Sequence, residues 1–201
     1  MSIPSSNKPK ILITGANGLL GQKLVEQLVA QGNFAVIATG RGACRLSGTG
    51  FTYQSLDIEN EQEVEENLAR LRPDVLIHGA AMTHVDDCEK NQEGCYRANV
   101  LATSYLLRAA EKVGSHFIFV STDFIFSGED GHNPYTEEAL PEPVNYYGQT
   151  KLEGEELIKR STLKWAIART VLVYGLANDL SRSNIILWVK SSLEAGKQIQ
   201  V

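Results

Sequence analysis

Tyr147 and Lys151 stand four residues apart in Tyr147-Gly148-Gln149-Thr150-Lys151. On a helix that spacing puts both side chains on one face. An ammonium held there stabilises a phenolate and lowers the tyrosine pKa from its ordinary value of about 10. A tyrosine so placed exchanges a proton with a carbonyl oxygen. Upstream, the apolar run Phe117–Ser121 ends in Ser121-Thr122-Asp123. Open parallel sheets bind their ligands beyond the carboxyl ends of the strands, so Thr122 is placed to hydrogen-bond a substrate carbonyl. Ser121 competes for that role or simply ends the strand. Asp123 is either a local turn former or an acid beside the substrate.

A second constellation lies near the start of the chain. The run Lys10–Thr14 leads into Thr14-Gly15-Ala16-Asn17-Gly18-Leu19-Leu20-Gly21 and then a helical pattern. Glycines at such a junction permit a tight turn and let backbone amides approach a pyrophosphate. The helix N-terminus adds unpaired N–H groups and a positive dipole end. Gly15, Asn17, Gly18, Leu19, Leu20 and Gly21 are therefore candidate dinucleotide contacts. The spacing is GxxGxxG, not the common GxGxxG, so the strand–loop–helix placement carries the argument. After the second strand comes Thr39-Gly40-Arg41 with no acid at its end. An acid there would bind a ribose 2′-hydroxyl, whereas an arginine accommodates a 2′-phosphate. Arg41 thus favours NADPH over NADH, which stays an alternative, as does a merely solvated Arg41.

Both constellations need a scaffold, and strand and helix patterns alternate along the chain. Strands are predicted at Lys10–Thr14, Phe34–Thr39, Phe51–Leu56, Val75–His78, Phe117–Ser121 and Ala166–Thr170. Helices are predicted at Leu19–Gln31, Glu61–Leu71, Gln92–Lys112, Tyr147–Arg160 and Ser183–Ala195, with something extended starting at Ile199–Val201. Alternation of this kind implies a doubly wound α/β fold: one parallel sheet covered by helices on both faces. Residues 1–9 read as a flexible leader and 10–201 as a Rossmann-like dinucleotide-binding domain. The long loop Ser127–Val144, rich in Gly, Pro and acids, has the length typical of functional loops.

Bulk properties exclude several other classes. A net charge of -5 does not suggest a nucleic-acid partner. No apolar run is long enough to span a bilayer, and no secretory leader opens the chain, so a cytoplasmic location is expected. Cys44, Cys88 and Cys95 lack metal-type spacing and read as reduced thiols. The four histidines form no HExxH or paired pattern, so no metal is expected.

Together TGANGLLG, STDFIFSG and YYGQTK, in that order, resemble the extended short-chain dehydrogenase/reductase family from Lys10 onward. That resemblance implies a Thr122–Tyr147–Lys151 triad with Tyr147 as proton donor. It also implies that Asp57 and Ile58 lie beside the adenine, that Gly79, Ala80 and Ala81 lie against the cofactor, and that Asn99 supports the site. Within the family, the strings GAAMTHVDDCE, STDFIFSGEDG, PYTEEALPEPVNYYGQTKLEGE and ARTVLVYG are most similar to the dTDP-4-dehydrorhamnose reductases. This implies NADPH-dependent reduction of a 4-keto group, with Thr83, Val85, Asp86, Thr122 and Asp123 toward a nucleotide-sugar substrate and a homodimer as one assembly. The related alternatives are a sugar-nucleotide epimerase or dehydratase, which shares the triad, and a non-catalytic regulatory subunit like that of methionine adenosyltransferase. Two departures bear on the sugar. Leu172 stands where these reductases often carry tryptophan, and the smaller C-terminal substrate domain with its carboxylates has no counterpart before Val201. A chain ending there is expected to bind cofactor but to hold a sugar nucleotide poorly.

Overall fold

The computed structural model describes residues 8–128, 134–178 and 185–199. Six parallel strands form one sheet: β1 (Lys10–Thr14), β2 (Ala35–Gly40), β3 (Phe51–Ser55), β4 (Val75–His78), β5 (His116–Thr122) and β6 (Trp165–Thr170). Their spatial order is β3-β2-β1-β4-β5-β6, the expected doubly wound arrangement. The order reverses between β1 and β4, which opens a crevice at their carboxyl ends. There Thr14 is in register with both Thr39 and His78.

Alternation along the strands builds two cores. On one face Leu12, Ile37, Leu76, Phe117 and Phe119 pack with Val64, Leu68, Leu106 and Ile158. These last come from α2 (Glu61–Leu71), α5 (Ala102–Val113) and α6 (Tyr146–Lys159). On the other face Ile11, Ile13, Val36, Ala38 and Ile77 pack against Val25 of α1 (Leu19–Gln31). Local chemistry sets the helix ends. Asn60 accepts from the Glu63 amide at the start of α2, and α1 stops at Gly32 in the left-handed region.

Several boundaries differ from expectation. A short helix, α3 (Val85–Lys90), occupies a segment with too few turns to show a period. The single helix expected at Gln92–Lys112 is α4 (Gln92–Tyr96), a wider π turn at Arg97–Leu101, and α5. Strand β5 runs one residue further, because Thr122 still pairs with Thr170 of β6. Strand β2 is displaced to Ala35–Gly40, β3 ends at Ser55, β6 begins at Trp165 and α6 spans Tyr146–Lys159. The last helix is α7 (Ile185–Glu194), shorter than Ser183–Ala195. Residues 1–7 of the expected leader, 129–133 of the long loop, 183–184 of that helix and 200–201 of the extended end lie outside the described residues. No helix among the described residues is long and apolar enough to cross a membrane.

Candidate active site

The glycine loop is folded back on itself at the crevice. Gly15 takes a φ of 73°, and a Cβ there would lie 2.8 Å from the Ala80 amide nitrogen. A Cβ on Gly21 would overlap the Gly15 carbonyl. The loop is therefore tied between the first turn of α1 and Gly79–Ala80, which brings two sequence-predicted cofactor segments together. Asn17 turns outward to the chain after β2: Nδ2 donates to Ala43 O at 3.0 Å, and Oδ1 accepts from Arg45 N at 3.0 Å. Leu19 and Leu20 open α1, whose first turn carries no acidic residue. The leading amides of a helix have no intrahelical acceptor, so the cradle suits an anion.

A directed chain of buried hydrogen bonds supports this loop. Ala80 N donates to Thr14 Oγ1 at 3.3 Å, and Thr14 Oγ1 meets His78 Nδ1 at 2.8 Å. His78 Nε2 meets Thr103 Oγ1 at 3.0 Å, and that hydroxyl donates to Asn99 O at 2.6 Å. Since Thr103 gives its proton to Asn99, it accepts from His78, and the network assigns the Nε2–H tautomer. Burial, and then the Lys151 charge, pushes the His78 pKa down to about 3, so the ring is neutral.

Asn99 sits in the π turn, a distortion frequent at functional sites. Its Oδ1 accepts from Met82 N at 2.8 Å, while Nδ2 donates to Met82 O and to Thr150 Oγ1, each at 3.0 Å. Thr150 in turn donates to Tyr147 O at 2.8 Å. Asn99, expected to support the site, is buried, and its amide holds the segment after β4 in register with α6.

Thr122 and Tyr147 lie side by side, and Lys151 follows one turn along α6. A Cβ on Gly148 would overlap the Phe124 carbonyl, so glycine lets α6 lie directly on the 3-10 turn Asp123–Ile125. Asn145 caps α6 by accepting from Gly148 N at 2.8 Å. This seats Tyr147 beside Thr122. Thr122 Oγ1 accepts from Phe124 N at 3.2 Å and donates to Asp123 Oδ1 at 3.1 Å. Asp123 is thus both the opening residue of a turn and an acceptor at the rim. One turn further, the buried Lys151 places Nζ 3.9 Å from the Phe119 ring centroid.

Charge behaves differently from the sequence expectation. Burial drives Tyr147 up to about 12, outweighing the lowering influence of the neighbouring Thr122 hydroxyl. Burial also drives Lys151 down to about 7, against the pull of Glu155. The expected depression of the tyrosine pKa by the lysine is absent: burial is the largest influence on both groups, and Lys151 is not among the charges that act on Tyr147. Ser121 is removed from contention: it donates to the fully buried Glu155 at 2.6 Å. Arg169 grips the same carboxylate through Nε at 3.0 Å and Nη2 at 2.7 Å.

The remaining candidates fall at the edges of this site. Val85 packs with Cys88, Cys95 and Tyr147, whereas Thr83 and Asp86 are exposed on the same rim. Ala81 is half-buried beside Met82, and Ile58 packs against the α2 side of the core. Arg41 is neither a free fork nor simply solvated. Its Nη2 donates to Asp57 Oδ1 at 3.1 Å and to Glu59 Oε1 at 2.6 Å. Leu172 is exposed. Sequence reasoning missed Gly148, Thr150, His78 and Glu155. Two weak signals existed: Glu155 continues the four-residue spacing of Tyr147 and Lys151, and His78 immediately precedes Gly79-Ala80-Ala81.

Comparison with known proteins agrees with this fold. The model of the family described as the RmlD substrate binding domain matches residues 9–201. A dTDP-4-dehydrorhamnose reductase from Aggregatibacter actinomycetemcomitans is 34% identical over 83% of this chain and 52% of its own length. Methionine adenosyltransferase 2 subunit beta from Rattus norvegicus is 31% identical over 92% of this chain and 52% of its own. The crystal structure of dTDP-4-dehydrorhamnose reductase from Bacillus anthracis in complex with NADP superposes with a TM-score of 0.75 at 31% identity, covering 94% of this chain and 60% of that one. The chain spans about half the length of the curated relatives it matches.

Proposed function

The chain belongs to the RmlD substrate binding domain family, and from that premise we propose that it works in NADPH-dependent reduction of the 4-keto group of a nucleotide-activated 6-deoxy sugar. The observation that carries this reading is the placement of Tyr147 beside Thr122 at the carboxyl end of β5, with Lys151 one turn along the same helix. The cradle fits a dinucleotide, since the loop runs straight into the first turn of α1, whose leading amides lack intrahelical acceptors and which carries no acidic residue. Gly15, Gly18 and the amides of Leu19, Leu20 and Gly21 would hold the pyrophosphate. Asp57 and Ile58 would face the adenosine end, and Gly79–Ala81 would lie along the cofactor.

When bound, the reduced nicotinamide supplies a hydride to the carbonyl carbon. Tyr147 is protonated at neutral pH because burial holds its pKa at about 12. It gives that proton to the carbonyl oxygen, and the Thr122 hydroxyl, turned away from Asp123, donates to the same oxygen as charge develops there. Lys151 would orient the nicotinamide ribose. Thr83, Val85, Asp86 and Asp123 would border the sugar.

A second reading, a cofactor-binding subunit of another enzyme, is favoured by the likeness to the methionine adenosyltransferase subunit. Fluorescence titration with NADPH and NADH, followed by turnover on a dTDP-4-keto-6-deoxy sugar, separates the two. Tyr147→Phe is expected to lower turnover about a hundredfold or more while leaving NADPH affinity nearly intact. Undiminished turnover would remove Tyr147 from the chemistry. Cofactor binding without any ketone reduction in the unmodified protein would favour the subunit reading.

A further inference from the structure

We propose that Glu59 sets the choice between a 2′-phosphate and a 2′-hydroxyl at the adenosine end of the site, by holding Arg41 and Arg97 at once. This inference rests on the cofactor reading above. Arg41 directly follows β2, the place from which an arginine meets a 2′-phosphate. Glu59 Oε1 accepts from Arg41 Nη2 at 2.6 Å, and Glu59 Oε2 accepts from Arg97 Nε at 3.3 Å. The two arginines come from different elements, the chain after β2 and the π turn. One carboxylate bridges them.

Glu59 is the anchored member of the cluster. Its side chain is 23% exposed, against 67% for Arg41 and 56% for Arg97. Its own amide donates to Asp57 Oδ1 at 3.1 Å, and the Asp57 amide donates to Glu63 at 3.2 Å, which pins the segment after β3. Asp57 is the second acceptor for Arg41, at 3.1 Å. Two arginines and two carboxylates leave this core of the cluster without net charge. Glu93 adds one more carboxylate at its outer rim, 3.9 Å from Arg97.

A phosphate carries about −1.5 to −2 charges near neutral pH and seeks a fork of free donors. Here it must first draw Arg41 away from Glu59. A 2′-hydroxyl meets no such competition, and finds carboxylate acceptors in place. Glu59 therefore restrains the preference that Arg41 alone would confer, and lets the site accept both cofactors.

Glu59→Gln keeps the side-chain shape, removes one negative charge and loosens both arginines. Dissociation constants for NADPH and NADH are to be measured by fluorescence titration at low and high salt. The NADPH/NADH affinity ratio is expected to rise about threefold to fivefold at low salt, the range of a partly exposed ion pair, and less at high salt. In an Arg41→Met/Arg97→Met background the same substitution should leave the ratio unchanged, which ties the effect to the arginines. An unchanged or lowered ratio in Glu59→Gln, with both cofactors still bound, would overturn this proposal and leave the cofactor reading standing. Failure of the unmodified chain to bind either cofactor would overturn both.

Discussion

Tyr147 and Lys151 share a helix face and a common fate: burial drives each toward its neutral form. For the tyrosine this keeps a proton ready to give. For the lysine it makes the folded state less tolerant of charge. The unfolded amine binds a proton up to its ordinary 10.5, the folded one only up to about 7. Between those values the unfolded chain holds more protons, so stability rises with pH across that window and the full cost falls at lower pH. Lys151→Met should then raise the melting temperature of the cofactor-free protein at pH 7 by about 2–4 °C while abolishing turnover. The gain should shrink as pH approaches 10.5. A lower melting temperature would instead mean that the Phe119 ring and Glu155 stabilise the ammonium by more than burial costs it.

At the scale of elements, the site depends on how closely α6 approaches the end of β5. Gly148 sits against the Phe124 carbonyl, and a Cβ at Gly154 would lie 2.9 Å from Phe119 Cζ. Two glycines cost helix propensity but let the helix touch both the turn and the strand. Gly148→Ala should push the start of α6 off the Asp123–Ile125 turn and part Tyr147 from Thr122. Turnover is expected to fall about tenfold or more, since small misplacements of reacting groups cost that much. NADPH affinity should change little, because the glycine loop lies across the crevice. Steady-state kinetics and titration on one preparation check both halves. Equal losses of binding and turnover would show that the helix positions the cofactor as well.

Across the whole molecule, the chain Ala80–Thr14–His78–Thr103–Asn99–Thr150–Tyr147 links the glycine loop on β1 to the helix carrying the tyrosine. It ties the two halves of the site together through buried polar groups. It also requires His78 to stay neutral. The unfolded imidazole takes a proton near 6.5, whereas the folded one resists until about 3. Stability from this group is therefore complete above 6.5 and is lost as pH falls toward about 3. Urea midpoints at pH 7 and pH 5 should drop more steeply for the unmodified protein than for His78→Asn, which has no ring to protonate. Parallel slopes would remove His78 as a source of acid sensitivity.

The parallel sheet, its helices and the cradle at Gly15–Gly21 were legible in the sequence because each is written in local periodicity and in turn chemistry at a strand–helix junction. The pairing of Tyr147 with Lys151 was legible for the same reason, a spacing of one helical turn. Helix α3 was not, since six residues are too few for a period to show. Nor was the fate of Ser121, which Glu155 on another helix and Arg169 on another strand decide. The partners of Arg41, Asp57 and Glu59, lie beyond a whole intervening strand. The direction of the Tyr147 and Lys151 pKa shifts likewise waited on the tertiary structure. A nearby charge can be read from spacing, but desolvation depends on every segment that closes around the pair, and here it is the larger effect.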